Sequence, residues 1–166
     1  MKTSQSKELI YFTTVKNPAY GLGSATSFID RVFIVINAGK TMDSHLQFYK
    51  ELLKLDVSTP QIVRMSAMNK ILNRDPEDKH PLATAKVGNG FVIELDEYPE
   101  GTKTREKIDG DIPPGISIVS FYVDKLSSFP SDFYGETLSP SGKIYNSKKS
   151  GLVIGPNNEW LELIQK

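Results

Sequence analysis

The chain has 166 residues, a length that suits one domain able to bury a hydrophobic core. Its 20 Lys and Arg residues balance its 20 Asp and Glu residues, so the composition excludes the strongly basic surface typical of nucleic-acid or membrane binding. The absence of cysteine excludes disulfides, thiolate ligands and cysteine nucleophiles. Because residues 1–8 are polar and no apolar run is long enough to cross a bilayer, we expect a cytoplasmic protein.

The first 29 residues predict a strand followed by an arm. Residues 8–15 are rich in β-branched and aromatic side chains, which is typical of a strand. Residues 16–27 contain one proline and two glycines and predict a linker. This strand can belong to the chain's own sheet or to that of a partner.

Residues 30–100 predict a first module that consists of a strand, a helix and three further strands. The run RVFIVI at residues 31–36 predicts a strand that is covered on both faces. Thr41 or Asp43 caps a predicted helix that ends near Lys54 and carries apolar side chains at i, i+3 and i+7. The remaining predicted elements are a strand at 55–63 interrupted by a proline, a short helix at 64–73, and a hairpin of strands 82–87 and 90–98 with an Asn-Gly turn.

Residues 101–115 are polar, contain Gly and Pro, and predict a joint, after which the pattern restarts in a second module at 116–166. The predicted elements of this module are a strand at 116–123, a poor helix at 124–134, and strands at 143–147, 151–154 and 159–165. The two modules end in similar phrases, VIEL and WLEL, and their common order of elements indicates a tandem repeat. Residues 30–166 thus form one domain.

Five phrases in this order resemble the vicinal oxygen chelate superfamily, which includes glyoxalase I, the bleomycin-resistance proteins and the extradiol dioxygenases. They are RVFIVIN, LQFYKELLKLDV, GFVIELDEYP, ISIVSFYVDKL and GPNNEWLELIQ. The resemblance implies an α+β fold in which two tandem βαβββ modules form a curved mixed sheet around a cavity, here with an extra N-terminal strand. It implies fold more strongly than function, because one fold serves many functions.

The resemblance also implies where a metal would bind, on the first and last strands of each module. The matching positions in this sequence are Arg31 and Glu94 in module one, and Ile118 and Glu162 in module two. Arginine is a permanent cation and isoleucine has no donor atom, so neither can replace the family's neutral ligands. We therefore predict that most of the metal site is lost, that no cofactor is bound, and that Arg31 forms a charge-neutralising cluster with Glu94 or Glu162.

Strand alternation extends these four positions to a full cavity lining. The residues predicted to face the cavity beside them are Phe33, Val35, Val92, Asp96, Ser120, Tyr122, Trp160 and Ile164. The residues predicted to pack under the helices are Val32, Ile34, Ile36, Ile93, Leu95, Val119, Phe121, Leu161 and Leu163. The second set is uniformly apolar, as a core face should be.

These residues favour a metal-independent protein that binds an apolar or aromatic small molecule in the cavity. The expected ligand-binding residues are Phe33, Val92, Ile118, Ser120, Tyr122 and Trp160. A first alternative is a metal-free isomerase or lyase in which Glu94 or Glu162 is the base and Arg31 orients the substrate. The arginine and the glutamates can equally form an ion pair with a purely structural role. A second alternative is a metal-dependent enzyme of the glyoxalase or dioxygenase kind.

Two further expectations concern histidines and partners. His45 and His80 are expected at the surface or in loops, and not as metal ligands. Apart from the small molecule we expect no nucleic-acid or membrane partner. The resemblance is compatible with a homodimer, since the N-terminal strand can add to a neighbour's sheet.

Overall fold

The computed structural model describes residues 27–28, 31–88, 90–102, 111–112, 116 and 118–166. The chain falls into two compact units that divide at residues 104 and 105, and their described parts hold modules one and two. The predicted N-terminal strand and most of the predicted joint lie outside the described residues. Within the described ranges, no helix is long and apolar enough to cross a membrane.

Module one contains a five-stranded sheet in which β5 is central. β1 runs parallel to β5, β4 runs antiparallel to β5, and β2 and β3 both pair with β4. The predicted order of elements is confirmed, with the predicted strand at 55–63 split into two at its proline. The elements are β1 (Ile34–Gly39), α1 (Met42–His45) with a π-helical continuation (Leu46–Leu52), β2 (Asp56–Val57), β3 (Gln61–Arg64), α2 (Ser66–Ile71), β4 (Lys79–Gly88) and β5 (Phe91–Glu97).

The helix of module one begins at a polar cap and packs on the sheet through one apolar side. The Thr41 hydroxyl accepts a hydrogen bond from the backbone N–H of Ser44 at 3.3 Å, which satisfies one donor of the first turn. α1 contacts β4 and β5, and the Tyr49 hydroxyl accepts a hydrogen bond from Asn37 Nδ2 on β1 at 2.8 Å. The buried side chains on this side of the sheet include Ala83, Ala85, Ile93 and Leu95. Their removal from water is the main source of stability for the module.

Both histidines are buried, so the prediction that they lie at the surface or in loops is wrong. His45 is fully buried on the side of α1 that faces the sheet, and its ring lies 6.1 Å from that of Tyr49. His80 on β4 is 7% exposed, and its Nε2 forms a 2.7 Å hydrogen bond with Asn69 Oδ1 of α2. Asn69 Nδ2 in turn donates to the carbonyl of Asp78 at 2.8 Å. This buried polar chain anchors α2 to the start of β4.

Module two contains a three-stranded sheet in which β8 is central. β6 runs parallel to β8, and β7 runs antiparallel to it. The buried side chains of this sheet include Val153, Leu161 and Leu163. The elements are β6 (Ile118–Val123), a 3-10 turn (Leu126–Ser128), α3 (Ser131–Tyr134), β7 (Ser150–Ile154) and β8 (Trp160–Gln165).

The strand predicted at 143–147 is wrong, since this segment forms turns. The backbone N–H of Asn146 donates to the Gly142 carbonyl at 3.0 Å, and Asn146 and Ser147 both have positive φ, 48° and 61°. Two successive left-handed residues cannot continue an extended strand. The outer edge of β7 is paired instead through an isolated bridge between Ser150 and Leu138.

Candidate functional site

One face of the sheet in module one carries two carboxyl groups, and we call it the carboxyl face. Residues directly opposite each other in a sheet share a face, and Glu94 lies between Ile36 of β1 and Thr84 of β4. Asp96 lies between Ala38 and Leu82 in the same way. The full carboxyl face comprises Ile34, Ile36, Ala38, Leu82, Thr84, Lys86, Val92, Glu94 and Asp96.

The face predicted for β1 is wrong by one residue. Val35 lies opposite Ile93 and Asn37 opposite Leu95, on the side where Asn37 bonds to Tyr49 of the helix. Ile34 and Ile36 therefore lie on the carboxyl face and not under the helix. The backbone ladder continues to Phe33, whose carbonyl accepts from Val92 N–H at 2.9 Å, so alternation puts Phe33 on the side of Val35 and not beside Glu94.

The same register corrects the position predicted for the uncharged metal ligand on the first strand of module one. In module two, Ile118 lies two residues before Ser120, which is opposite Glu162. The equivalent residue of module one is Ile34, two residues before Ile36, which is opposite Glu94. Arg31 is exposed and precedes β1 by three residues, so the strand register does not place it beside Glu94. Both first-strand positions therefore carry isoleucine, and a role for Arg31 stays a prediction.

Glu94 and Asp96 form a hydrogen-bonded carboxyl pair. Burial, followed by the charge of Glu94 and the hydrogen bond to it, raises the pKa of Asp96 to about 8. Burial also raises the pKa of Glu94, although the hydrogen bond from Asp96 opposes this. Near neutral pH Asp96 consequently keeps its proton and donates the hydrogen bond to Glu94. Asp96 is only 5% exposed, and its Oδ1 has no hydrogen-bond partner among the described residues.

The second sheet presents the predicted cavity residues on one face, which we call the Trp160 face. Ile118 lies opposite Trp160, Ser120 opposite Glu162, and Tyr122 opposite Ile164 on β6 and β8. β7 adds Ser150, Leu152 and Ile154 to the same face. The alternation predicted for module two is therefore confirmed, with Val119, Phe121, Leu161 and Leu163 on the opposite face.

The carboxylate of Glu162 lies at the polar centre of the Trp160 face. It accepts a hydrogen bond from Ser120 Oγ at 2.6 Å. A hydrogen bond between Glu162 and the Tyr145 hydroxyl is the main cause that raises the pKa of Tyr145. The Tyr122 hydroxyl donates to the Ile144 carbonyl at 3.2 Å, so the turn at 142–147 is held against this face at two points. Two hydroxyl donors fix the orientation of the carboxylate and satisfy part of its hydrogen-bonding capacity.

Two residues that contact the carboxyl groups of these faces have no chemical role in the prediction from the sequence. Asp96 was predicted to line the cavity but was given no chemical role, although its spacing of two residues from Glu94 is visible in the sequence. Tyr145 was assigned to a strand, and nothing local in the sequence indicates its contact with Glu162. Among the other predicted site residues, Val92 lies on the carboxyl face beside Glu94, while Ile118, Ser120, Tyr122 and Trp160 surround Glu162.

The residues of the two faces do not fit the metal that the resemblance implies. In the described part of the chain, no three His, Asp or Glu side chains come together in an arrangement that could hold an ion. Ile34 and Ile118 at the neutral-ligand positions have no donor atom. Zn, Ni and Fe are usually held through imidazole nitrogen or thiolate sulfur, and the described residues of these two faces have neither donor.

Comparison with known proteins supports the fold and leaves the function open. No protein-family model and no curated protein sequence matches this chain. A glyoxalase family protein from Bacillus cereus matches with a TM-score of 0.58 and 16% identity, over 84% of this chain and 96% of that one. A glyoxylase/bleomycin resistance protein/dioxygenase domain from Frankia sp. EAN1pec matches with a TM-score of 0.56 and 16% identity, over 82% of this chain and 98% of that one. Glyoxalase I of Leishmania major matches with a TM-score of 0.52 and 18% identity, over 81% of this chain and 86% of that one. At these identities the matches show that the chain has the glyoxalase/bleomycin-resistance fold. The resemblance to the vicinal oxygen chelate superfamily is thereby confirmed at the level of the fold.

Proposed function

We propose that this protein binds a small apolar or aromatic molecule on the Trp160 face of its second sheet, without a metal. The observation that carries the proposal is a set of large apolar side chains left exposed on a regular sheet face around one tryptophan. Tyr122 is 57% exposed, Ile154 48% and Ile118 42%, and all three share the face with Trp160. Exposed apolar patches with a few polar groups are typical of ligand sites.

The polar groups of this face are arranged to orient a ligand. Trp160 Nε1 is buried and has no hydrogen-bond partner among the described residues, so a ligand acceptor would satisfy it. Leaving a buried donor unpaired costs about 1–3 kcal/mol, which a bound acceptor would recover. Ser120 and Tyr145 hold the Glu162 carboxylate, which supplies one fixed acceptor at the centre of the face.

Fluorescence of Trp160 provides the test, because it is the only tryptophan in the chain. We expect at least one compound in a panel of naphthols, indoles and phenolic acids to quench or shift its emission with saturation. Ile118→Ser on the Trp160 face should weaken that compound about tenfold, since it removes most of one apolar contact. Ile62→Ser is the matched control, because Ile62 is 64% exposed on β3 of the other module. Absence of saturable quenching by any compound, or equal weakening by both variants, would refute the proposal.

A second candidate function is a metal-free isomerase or lyase, which the Glu94–Asp96 pair favours. Asp96, whose raised pKa of about 8 keeps it protonated near neutral pH, would supply an acid, and the neighbouring Glu94 would be the base. Glu94 suits the role of base better than Glu162, whose carboxylate already accepts bonds from Ser120 and Tyr145. Glu94→Gln should then abolish turnover of a bound substrate and leave its binding intact, and unchanged turnover would remove Glu94 from the mechanism.

A further inference from the structure

The carboxyl pair of module one carries an unsatisfied acceptor and an unmatched charge. The side chain of Asp96 is buried, with only 5% of the residue exposed, yet its Oδ1 has no hydrogen-bond partner among the described residues. The cross-strand neighbours of Asp96 are Ala38 and Leu82, neither of which has a side-chain donor. A buried acceptor without a donor costs free energy in the free protein, which a donor from outside would recover.

The charge of the pair is also unmatched within the described chain. None of the ion pairs formed by its Lys and Arg residues involves Glu94 or Asp96. The nearest cation along the carboxyl face, Lys86, is held by Asp56 at 2.7 Å. Among the described residues the pair therefore has no cationic partner, and Asp96 Oδ1 has no hydrogen-bond donor.

We propose that the Glu94–Asp96 pair is a binding site for the primary ammonium group of a small alkyl or aryl amine. An ammonium group brings both missing features, since it carries one positive charge and three N–H donors. One N–H would bond to Asp96 Oδ1 and another to the Glu94 carboxylate. Ile36 and Leu82, directly opposite the two carboxyl groups, would contact the carbon skeleton of the amine.

The surroundings of the pair select an ammonium group over a metal ion. A hard cation such as Mg²⁺ takes six oxygen ligands in an octahedron, of which water can supply several, and it gains nothing from apolar neighbours. Beyond the two carboxyl groups, the immediate cross-strand neighbours offer one hydroxyl, that of Thr84, which already bonds with Ser58. An ammonium group needs only two or three acceptors, and its carbon substituent matches the apolar neighbours. The proposal does not depend on ligand binding at the Trp160 face.

Calorimetric titration at pH 7 with three probes of one skeleton tests the proposal. The probes are 2-phenylethylamine, the neutral 2-phenylethanol, and phenethyltrimethylammonium, which keeps the charge but has no N–H donor. We expect the amine to bind at least about tenfold more tightly than either analogue, because only it satisfies both charge and acceptor. Shifts of the Ile36 and Leu82 amide resonances on addition of the amine would locate it on the carboxyl face.

Variants separate the two carboxyl groups. Glu94→Gln should weaken the amine about tenfold or more, whereas Glu77→Gln, which removes an equal but exposed charge, should leave its affinity unchanged. Asp96→Leu should also weaken the amine, whereas Asp96→Asn keeps an Oδ1 acceptor and a donor to Glu94 and should bind within about threefold of the wild type. Thermal melts confirm that each variant is folded.

Four outcomes would overturn the proposal. They are equal binding of the amine and the alcohol, equal binding of the amine and the trimethyl analogue, an amine affinity indifferent to Glu94→Gln, and binding of Mg²⁺ that displaces the amine from this face. None of them bears on quenching of Trp160, so a failure here is distinguishable from a failure of the proposed function.

Discussion

Asp96→Asn should make the protein more stable, by an amount that increases with pH. In the folded chain the pKa of Asp96 is raised from its ordinary 3.8 to about 8, mainly by burial, so folding opposes its ionisation. The stabilising protonated state is fully present below the ordinary pKa. The wild type therefore loses stability as pH rises from there through the folded pKa. Asparagine does not titrate, keeps the shape of the carboxyl group, and can still donate to Glu94.

The size of this stability difference follows from the shift in the pKa of Asp96. One pKa unit corresponds to about 1.4 kcal/mol, so the stability difference between Asp96→Asn and wild type should grow by up to about 4 kcal/mol between pH 5 and pH 8. This is a large part of the roughly 5–15 kcal/mol that stabilises a typical domain. Above the folded pKa the difference should level off.

Urea unfolding of the two proteins at pH 5, 6, 7, 8 and 9 measures this difference directly. Asp124→Asn, an exposed carboxyl that pairs with Lys166, is a matched control and should show no comparable pH dependence. A stability difference that stays constant from pH 5 to pH 8 would refute the protonated, buried state of Asp96.

Two further predictions concern polar contacts. Glu162→Gln should lower the pKa of the Tyr145 phenol towards its ordinary value in a spectrophotometric titration. The substitution weakens the hydrogen bond to the phenol and removes the negative charge that opposes phenolate formation. An unchanged titration would contradict the hydrogen bond between the two side chains. Asn69→Ala should lower the free energy of unfolding by about 1–3 kcal/mol, because it leaves the buried His80 ring without its hydrogen-bond partner at 2.7 Å. A loss below about 0.5 kcal/mol in urea unfolding would contradict a structural role for that hydrogen bond.

The register of module two was predictable because its strands alternate clearly. On β8, Leu161 and Leu163 flank Glu162, so only one register buries the leucines and leaves the glutamate on the other face. β1 has no such contrast, because Ile34, Val35 and Ile36 are all apolar and β-branched. In a strand of this kind the sequence does not distinguish the two faces, and an error of one residue in its start exchanges them.

Contacts between distant segments account for the other differences. Ile144 and Tyr145 have high strand propensity, yet the turn that contains them is held by Tyr122 and Glu162 on other strands. His80 follows a charged loop, which suggests exposure, but Asn69 of α2 covers it. The proton on Asp96 likewise results from tertiary burial, which the spacing of the two carboxyl groups cannot reveal.

Ligand binding on the Trp160 face without a metal can be checked by measuring the affinity of one compound with and without metal ions. The dissociation constant of the compound that quenches Trp160 most strongly is determined on chelator-treated protein and again after saturation with Zn²⁺, Ni²⁺ or Mn²⁺. We predict the same constant, within experimental error, in both states, because Ile118 contributes no metal ligand and Glu162 is already held by hydroxyl groups. Binding that disappears on chelation and returns with one of these ions would show that the Trp160 face depends on a metal.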